Sequence, residues 1–171
     1  ILPATVTFVD IAGLVAGASK GEGLGNKFLA NIRQCDAIIH IVRAFENNDI
    51  VHVADKVDPK DDIEVINTEL ILADLQTIET RLPKIQKEAK AKPSLKPAAE
   101  YLSKLVIHLQ SGEPLSSLAN LNIDMISDLH LLTAKPIIYA FNVDEETLGN
   151  PQKQAELASM VLPAKSVFVC A

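Results

Sequence analysis

The sequence predicts an α/β protein: a mostly parallel sheet carrying an inserted antiparallel α-helical coiled-coil arm. Three observations point there. Four short apolar runs rich in Val and Ile, at 4–10, 37–45, 136–143 and 166–171, lack polar/apolar alternation, as strands of a parallel sheet covered on both faces must. Five of the seven glycines crowd between Gly13 and Gly25, directly after the first run. About ninety residues separate the second run from the third, far beyond the usual handful for such connections.

The first run, Ala4–Asp10, reads as a strand, and Asn26–Cys35 reads as a helix with an apolar stripe of Phe28, Leu29 and Ile32. The glycines between them fall at the C-terminal end of a strand, where open α/β sheets place ligands. Glycine there permits positive φ and brings backbone N–H groups close to an anion. The acidic run Asp55, Asp58, Asp61 and Asp62 suits a helix start. In the long connection, Ile71, Leu75, Ile78, Leu82, Ile85 and Ala89 are spaced 4-3-4-3-4, and Ala98, Leu102, Leu105 and Leu109 are spaced 4-3-4. Such seams predict two coiled-coil helices, joined by the turn-forming stretch Lys92–Pro97. Two ordinary amphipathic helices folded onto the sheet are the alternative. Pro83 interrupts the first seam and predicts a bend or a restart there, because it removes a helical hydrogen bond. The last helix starts with Asn150 as N-cap and Pro151 at the first helical position. The domain reading is a partial sheet domain over 1–59 and 133–171, with an inserted helical domain over 60–132.

Composition narrows the function classes. The 171 residues are 48% apolar and 22% charged, enough for a core. A net charge of −6 argues against a chain that is basic all over and wraps nucleic acid. Two cysteines, Cys35 and Cys170, give neither a disulfide framework nor a zinc spacing, which fits a reducing, cytoplasmic compartment. No apolar run reaches a membrane span, and no signal peptide is visible, so no membrane partner is expected. The chain begins Ile-Leu-Pro and ends inside an apparent strand, and both ends read as cut from a longer protein.

Asp10-Ile11-Ala12-Gly13 at a strand end has the form of a phosphate-sensing switch. Asp10 would orient the water shell of Mg²⁺, and the Gly13 amide would bond the terminal phosphate. Alone, the tetrapeptide is also an ordinary strand-end turn. Leu14 follows, where Ras-like proteins carry the Gln that orients the attacking water. Leucine cannot bond water, so hydrolysis is slow or is helped from elsewhere. Asn142-Val143-Asp144-Glu145 ends the third strand, where switch GTPases place Asn-Lys-x-Asp. Glu145 in place of Asp and Val143 in place of Lys weaken guanine selection, with Val143 offering a surface for the base. A polar loop after a buried strand is the plainer reading of these four residues. Lys84, Lys87, Lys90, Lys92 and Lys96 crowd the tip of the arm, a surface for phosphate backbone or simply a solvated helical face. The four histidines lack ligand spacing, and His40 reads as a satisfied core residue.

Phe8 to Val15, continuing through Gly25-Asn26-Lys27-Phe28-Leu29, resembles the glycine-rich switch II of the Obg-like ATPases, the YchF branch of the Obg GTPases. Ile66 to Leu70 with Ala73-Asp74-Leu75 resembles the opening of that branch's helical insertion. Leu131 to Pro136, running into Asn142 to Glu145, resembles its re-entry and its altered base motif. The resemblance implies a P-loop nucleotide domain, a coiled-coil arm and a C-terminal TGS domain. It implies a ribosome-associated protein that hydrolyses ATP or GTP with Mg²⁺. Asn142, Val143, Glu145, Cys170 and Ala171 would then form the base site, Leu14 would replace the catalytic Gln, and the arm lysines would meet ribosomal RNA. No Gly-x-x-x-x-Gly-Lys-[Ser/Thr] occurs in the sequence, so the resemblance places the phosphate loop before residue 1 and the TGS domain after residue 171. The segment alone would then be inactive. A non-catalytic module that docks on the ribosome or RNA through its arm is the alternative.

Overall fold

The computed structural model describes residues 5–11, 24–45 and 57–171, with the side chains of 24–27 left aside. Helix α1 (Leu24–Gln34) leads into strand β1 (Ile38–Arg43). The long helix α2 (Pro59–Ala91) and α3 (Lys96–Gln110) follow. Then come β2 (Ile137–Asn142), the short α4 (Glu145–Leu148), α5 (Pro151–Ser159) and β3 (Lys165–Val169). The strands form one parallel sheet in the order β1-β2-β3, with Ile38 opposite Ile137 and Ile138 opposite Lys165. Short stretches of 3₁₀ helix link α3 to β2.

Three of the four expected strands form; the first does not. Residues 5–11 adopt no strand, and Val6 and Phe8 are exposed. An apolar run becomes a strand only when a neighbour takes up its backbone N–H and C=O groups. The outer strands of the described sheet, β1 and β3, bond β2 and not this segment. Among the described residues the sheet is also covered on one face rather than on both. One face carries Val42, Tyr139, Phe141 and Phe168, packed under Ile63 of α2, Leu157 of α5 and Val161. Phe141 and Phe168 stack with ring centroids 5.6 Å apart. The other face leaves Ile39, Ile41, Val167 and Val169 exposed, so alternation is restored in burial where the sequence lacks it in residue type.

α2 is 33 residues long, about 50 Å at 1.5 Å per residue. Asp58 caps it by accepting from Asp61 N, and Pro59 sits in the first turn. Ile63 packs on the sheet, and Leu70 and Ala73 pack on α1. Ile71, Ile78 and Ile85 then bury against Leu102, Leu105 and Leu109 of α3, with Leu75, Leu82 and Ala98 partly buried beside them. The seam residues read from the spacing are therefore the residues that meet. Gly112, at φ +84, ends α3 in a conformation that disfavours any side chain. α2 runs unbroken through Pro83, contrary to the expected restart. Pro83 and Glu79, the residue whose carbonyl loses its partner, are both exposed, so water can take that bond. α5 begins as expected: Asn150 accepts from the N–H groups of Gln152 and Lys153.

Where α2 crosses the start of the sheet, a polar joint ties four segments together. Asp74, 1% exposed, accepts Leu132 N (2.8 Å) at one carboxylate oxygen and Thr133 N (2.8 Å) and Oγ1 (2.7 Å) at the other. Thr133 Oγ1 accepts in turn from Leu115 N at 3.3 Å. Lys135 Nζ donates to the carbonyls of Arg33 (3.2 Å) and Cys35 (2.5 Å), taking up the orphan acceptors at the end of α1. Arg33 reaches Thr77 of α2 at 3.4 Å. Burial pushes the Asp74 carboxyl up, against the N–H and O–H donors that pull it down.

Candidate functional site at the carboxyl edge of the sheet

β2 ends at Asn142, and the main chain there is tied to both neighbours. Ala44 N donates to Asn142 O at 2.8 Å, and Val143 N donates to Val169 O at 2.9 Å. The Asn142 side chain continues the link, its Oδ1 accepting from Ala171 N at 3.3 Å. The structure thus brings together Asn142, Cys170 and Ala171, which are 28 or more positions apart in the chain. Cys170 and Ala171 lie just past β3 and are exposed.

The next three residues divide their work. Val143 is 2% exposed and packs with Val42 and Phe141. It therefore offers no surface for a base, because its side chain is on the core side of the turn. Asp144 caps α4, accepting from Thr147 N at 2.7 Å. The Thr147 hydroxyl and backbone N–H hold the Asp144 carboxyl below the usual carboxylate range, with Lys153 adding to this. Glu145, exposed at the first helical position, is the carboxylate of the motif not committed to the cap. α5 stiffens the turn from behind: Lys153 pairs with Glu146 at 2.8 Å, and Gln154 Nε2 donates to Leu148 O at 2.6 Å.

The switch residues are placed differently. Gly13 and Leu14 lie outside the described residues. Asp10 is exposed. Its neighbour Ile11 packs on the cluster of Leu29, Ile32, Leu70, Ala73 and Leu132. Among the described residues no hydrogen bond or ion pair joins Asp10 to Asn142, whose Oδ1 accepts from Ala171 N. Among the described residues, no group of three His, Cys, Asp or Glu side chains gathers to hold a metal. Asp10 alone supplies one hard oxygen ligand, which suits Mg²⁺ only where phosphates and water complete the shell.

Lys84, Lys87, Lys90, Lys92 and Lys96 are all exposed around the far end of the hairpin. Among the described residues none of the five is in an ion pair; the nearby Glu88 pairs with Arg81 at 3.7 Å. No helix among the described residues is long and apolar enough to cross a membrane.

Two polar features escaped the sequence reading. The Asp74 joint had one visible signal, a carboxylate between Ala73 and Leu75 on the buried side of a long helix. His40 is half-buried and, contrary to expectation, not satisfied: its Nδ1 is shut off from solvent and has no hydrogen-bond partner among the described residues. Burial lowers its pKa to about 4, against a weaker opposing pull from Asp62, and its ring lies 5.4 Å from Tyr139.

A family model described as a 50S ribosome-binding GTPase matches residues 2–69. A protein named ribosome-binding ATPase YchF from Haemophilus ducreyi is 53% identical over 153 residues, covering 88% of this chain and 42% of that protein. The chain belongs to the YchF family. The Bacillus subtilis protein of the same name is 49% identical over 164 residues, covering 93% of the chain and 44% of its own length. A solved YchF GTPase from Schizosaccharomyces pombe superposes with a TM-score of 0.71 at 31% identity, over 90% of this chain and 45% of that one. The fold is that of a P-loop GTPase, with a parallel sheet and helices. The chain spans a little under half the length of these relatives.

Proposed function

We propose that this chain is the base-binding and arm-bearing part of a ribosome-associated, cytoplasmic YchF protein that hydrolyses ATP or GTP with Mg²⁺ and acts as a conformational switch in translation or stress regulation. The observation that carries this is the carboxyl edge of the sheet. There Asn142 is tied to Ala171, and Glu145 projects from a turn stiffened by Asp144. Kinship with proteins named ribosome-binding ATPases supports the activity and the partner.

Each residue then has a role. Asn142 braces the loop after β3, and Cys170 and Ala171 present that loop's backbone to the base. Glu145 accepts from the base's polar edge. Being one methylene longer than Asp, it does not reproduce the two-point grip on guanine that Asp gives. Asp10 and the Gly13 amide attend the metal's water and the terminal phosphate, and Leu14 leaves the attacking water without a side-chain partner. Mg²⁺ would supply charge neutralisation of the phosphates. In these 171 residues, which carry no Gly-x-x-x-x-Gly-Lys-[Ser/Thr], nucleotide binding is weak. Residues 60–132 form an antiparallel coiled-coil arm on the nucleotide domain of 1–59 and 133–171, with the first turns of α2 shared between them. The arm's five lysines contact ribosomal RNA.

The test is made on the full-length protein. ATP turnover and ribosome co-sedimentation are both expected. Charge reversal of Lys84, Lys87 and Lys90 lowers co-sedimentation and leaves basal turnover unchanged; unchanged co-sedimentation removes the docking role of the arm. One observation favours a non-catalytic ribosome-docking module instead: the five lysines around the far end of the hairpin are all exposed. Ribosome binding without any ATP or GTP turnover would establish that alternative.

A further inference from the structure

Asp74 is the most deeply buried carboxylate among the described residues, and the proposed chemistry does not use it. Its partners are not on its own helix. Leu132 and Thr133 lie 58 and 59 positions further along the chain, on the strap that enters β2. That strap is fastened on every side. Thr133 takes Leu115 N from the segment after α3, and its carbonyl takes Ser116 N at 2.9 Å. Two residues on, Lys135 closes the end of α1, the helix that leaves the glycine-rich run. β2 then proceeds to Asn142 and the base motif. One carboxylate therefore fixes the hairpin to the strand that carries the candidate base site, and the same strap fixes α1.

The fastening is specific to a carboxylate. All three groups that reach Asp74 are donors, so both of its oxygens must accept. An Asn at this position still accepts at one oxygen, but its NH₂ would face the Thr133 N–H and hydroxyl, donor against donor. The hairpin's seam starts beside the joint, at Ile71 and Leu75, and continues beyond it through Ile78, Leu82 and Ile85, so most of its apolar packing lies past Asp74.

We propose that Asp74 is the positioning residue that couples the helical hairpin to the nucleotide edge, so that ribosome occupancy at the hairpin and nucleotide occupancy at Asn142 and Glu145 each alter the affinity for the other. The inference rests on the proposed function and adds the device that links its two sites. Coupling of this kind is reciprocal and typically amounts to about 5–150-fold in affinity.

The experiment uses the full-length protein. Ribosome affinity is measured by co-sedimentation with ADP and with a non-hydrolysable ATP analogue. Analogue affinity is measured with and without ribosomes. The wild type is expected to show at least about fivefold coupling in both directions. Asp74→Asn is expected to reduce it to less than about twofold, with each separate affinity held within about threefold. Thr133→Ser, which keeps the hydroxyl, retains wild-type coupling; a purely packing role for this joint would not separate these two variants. If Asp74→Asn does not fold, Thr133→Val replaces it and is expected to lower the coupling at least about threefold. Full coupling in Asp74→Asn, or in Thr133→Val where that variant stands in, overturns the proposal. So does a wild type that binds both partners with no coupling. A wild type that fails to bind nucleotide or ribosome overturns the proposed function, and this inference with it.

Discussion

The hairpin and the sheet are built from similarly apolar residues, yet their surroundings differ. Ile78, Leu105 and Leu109 in the hairpin seam are at most 1% exposed. On the sheet, Ile41 is 70% exposed, and Ile39, Val167 and Val169 share its open face. The hairpin buries its stripe against itself: each helix is the other's cover. Among the described residues, the sheet is covered only on the face under α2 and α5. Hydrophobic content thus sets what must be buried, while topology decides whether a partner is at hand. The hairpin can keep its seam closed wherever its tip is engaged; the sheet's open face is available to further structure.

Substitutions sharpen the contrast, and the largest effect belongs to the seam. Leu105→Ala should cost about 2–5 kcal/mol in urea unfolding, from lost burial plus the cavity left behind. A cost below about 1 kcal/mol would mean that the seam is not a packed core. Acid comes next, through the covered face of the sheet. The folded pKa of His40 is lowered to about 4 from 6.5, so the unfolded chain binds the extra proton between those values. His40 therefore costs nothing above about pH 6.5, and stability falls as pH drops from there toward 4, by at most about 1.4 kcal/mol per pH unit. His40→Leu should flatten that slope, and an unchanged pH profile would contradict the burial argument.

Third is Pro83→Ala, which restores the donor to Glu79 O on an unbroken helix. It should stabilise the hairpin by roughly 1–3 kcal/mol. Destabilisation would show that the proline has a packing role. The smallest effect is expected on the open face: Ile41→Thr should change stability by less than about 0.5 kcal/mol. A loss above about 2 kcal/mol in this same chain would show that the face is covered after all.

How much of this was legible beforehand divides along the same line. The hairpin was readable because a 4-3 spacing states both the helix and the residue that meets its partner; Ile71, Ile78, Leu102 and Leu105 are where the spacing put them. Strands β1, β2 and β3 were readable as apolar runs. The segment at 4–10 has the same signature and is no strand over 5–11, because a run cannot reveal whether a neighbour will bond it. The burial of Val143 was hidden because its motif position implies exposure, while the pleat at the end of β2 turns it inward. The partnership of Asn142 with Ala171, and of Asp74 with Thr133, joins residues far apart in sequence. No local pattern encodes such pairs; parallel pairing and the return of the chain past α2 create them.

The proposed function turns on base selection by Glu145 at the carboxyl edge of the sheet. Because Val143 is buried, the direct test changes Glu145 alone. ATP and GTP dissociation constants are measured for the full-length protein and for its Glu145→Asp variant. The ratio of GTP to ATP affinity is expected to rise at least about tenfold, or ~1.4 kcal/mol. An unchanged ratio, with both nucleotides still bound, would contradict that proposal.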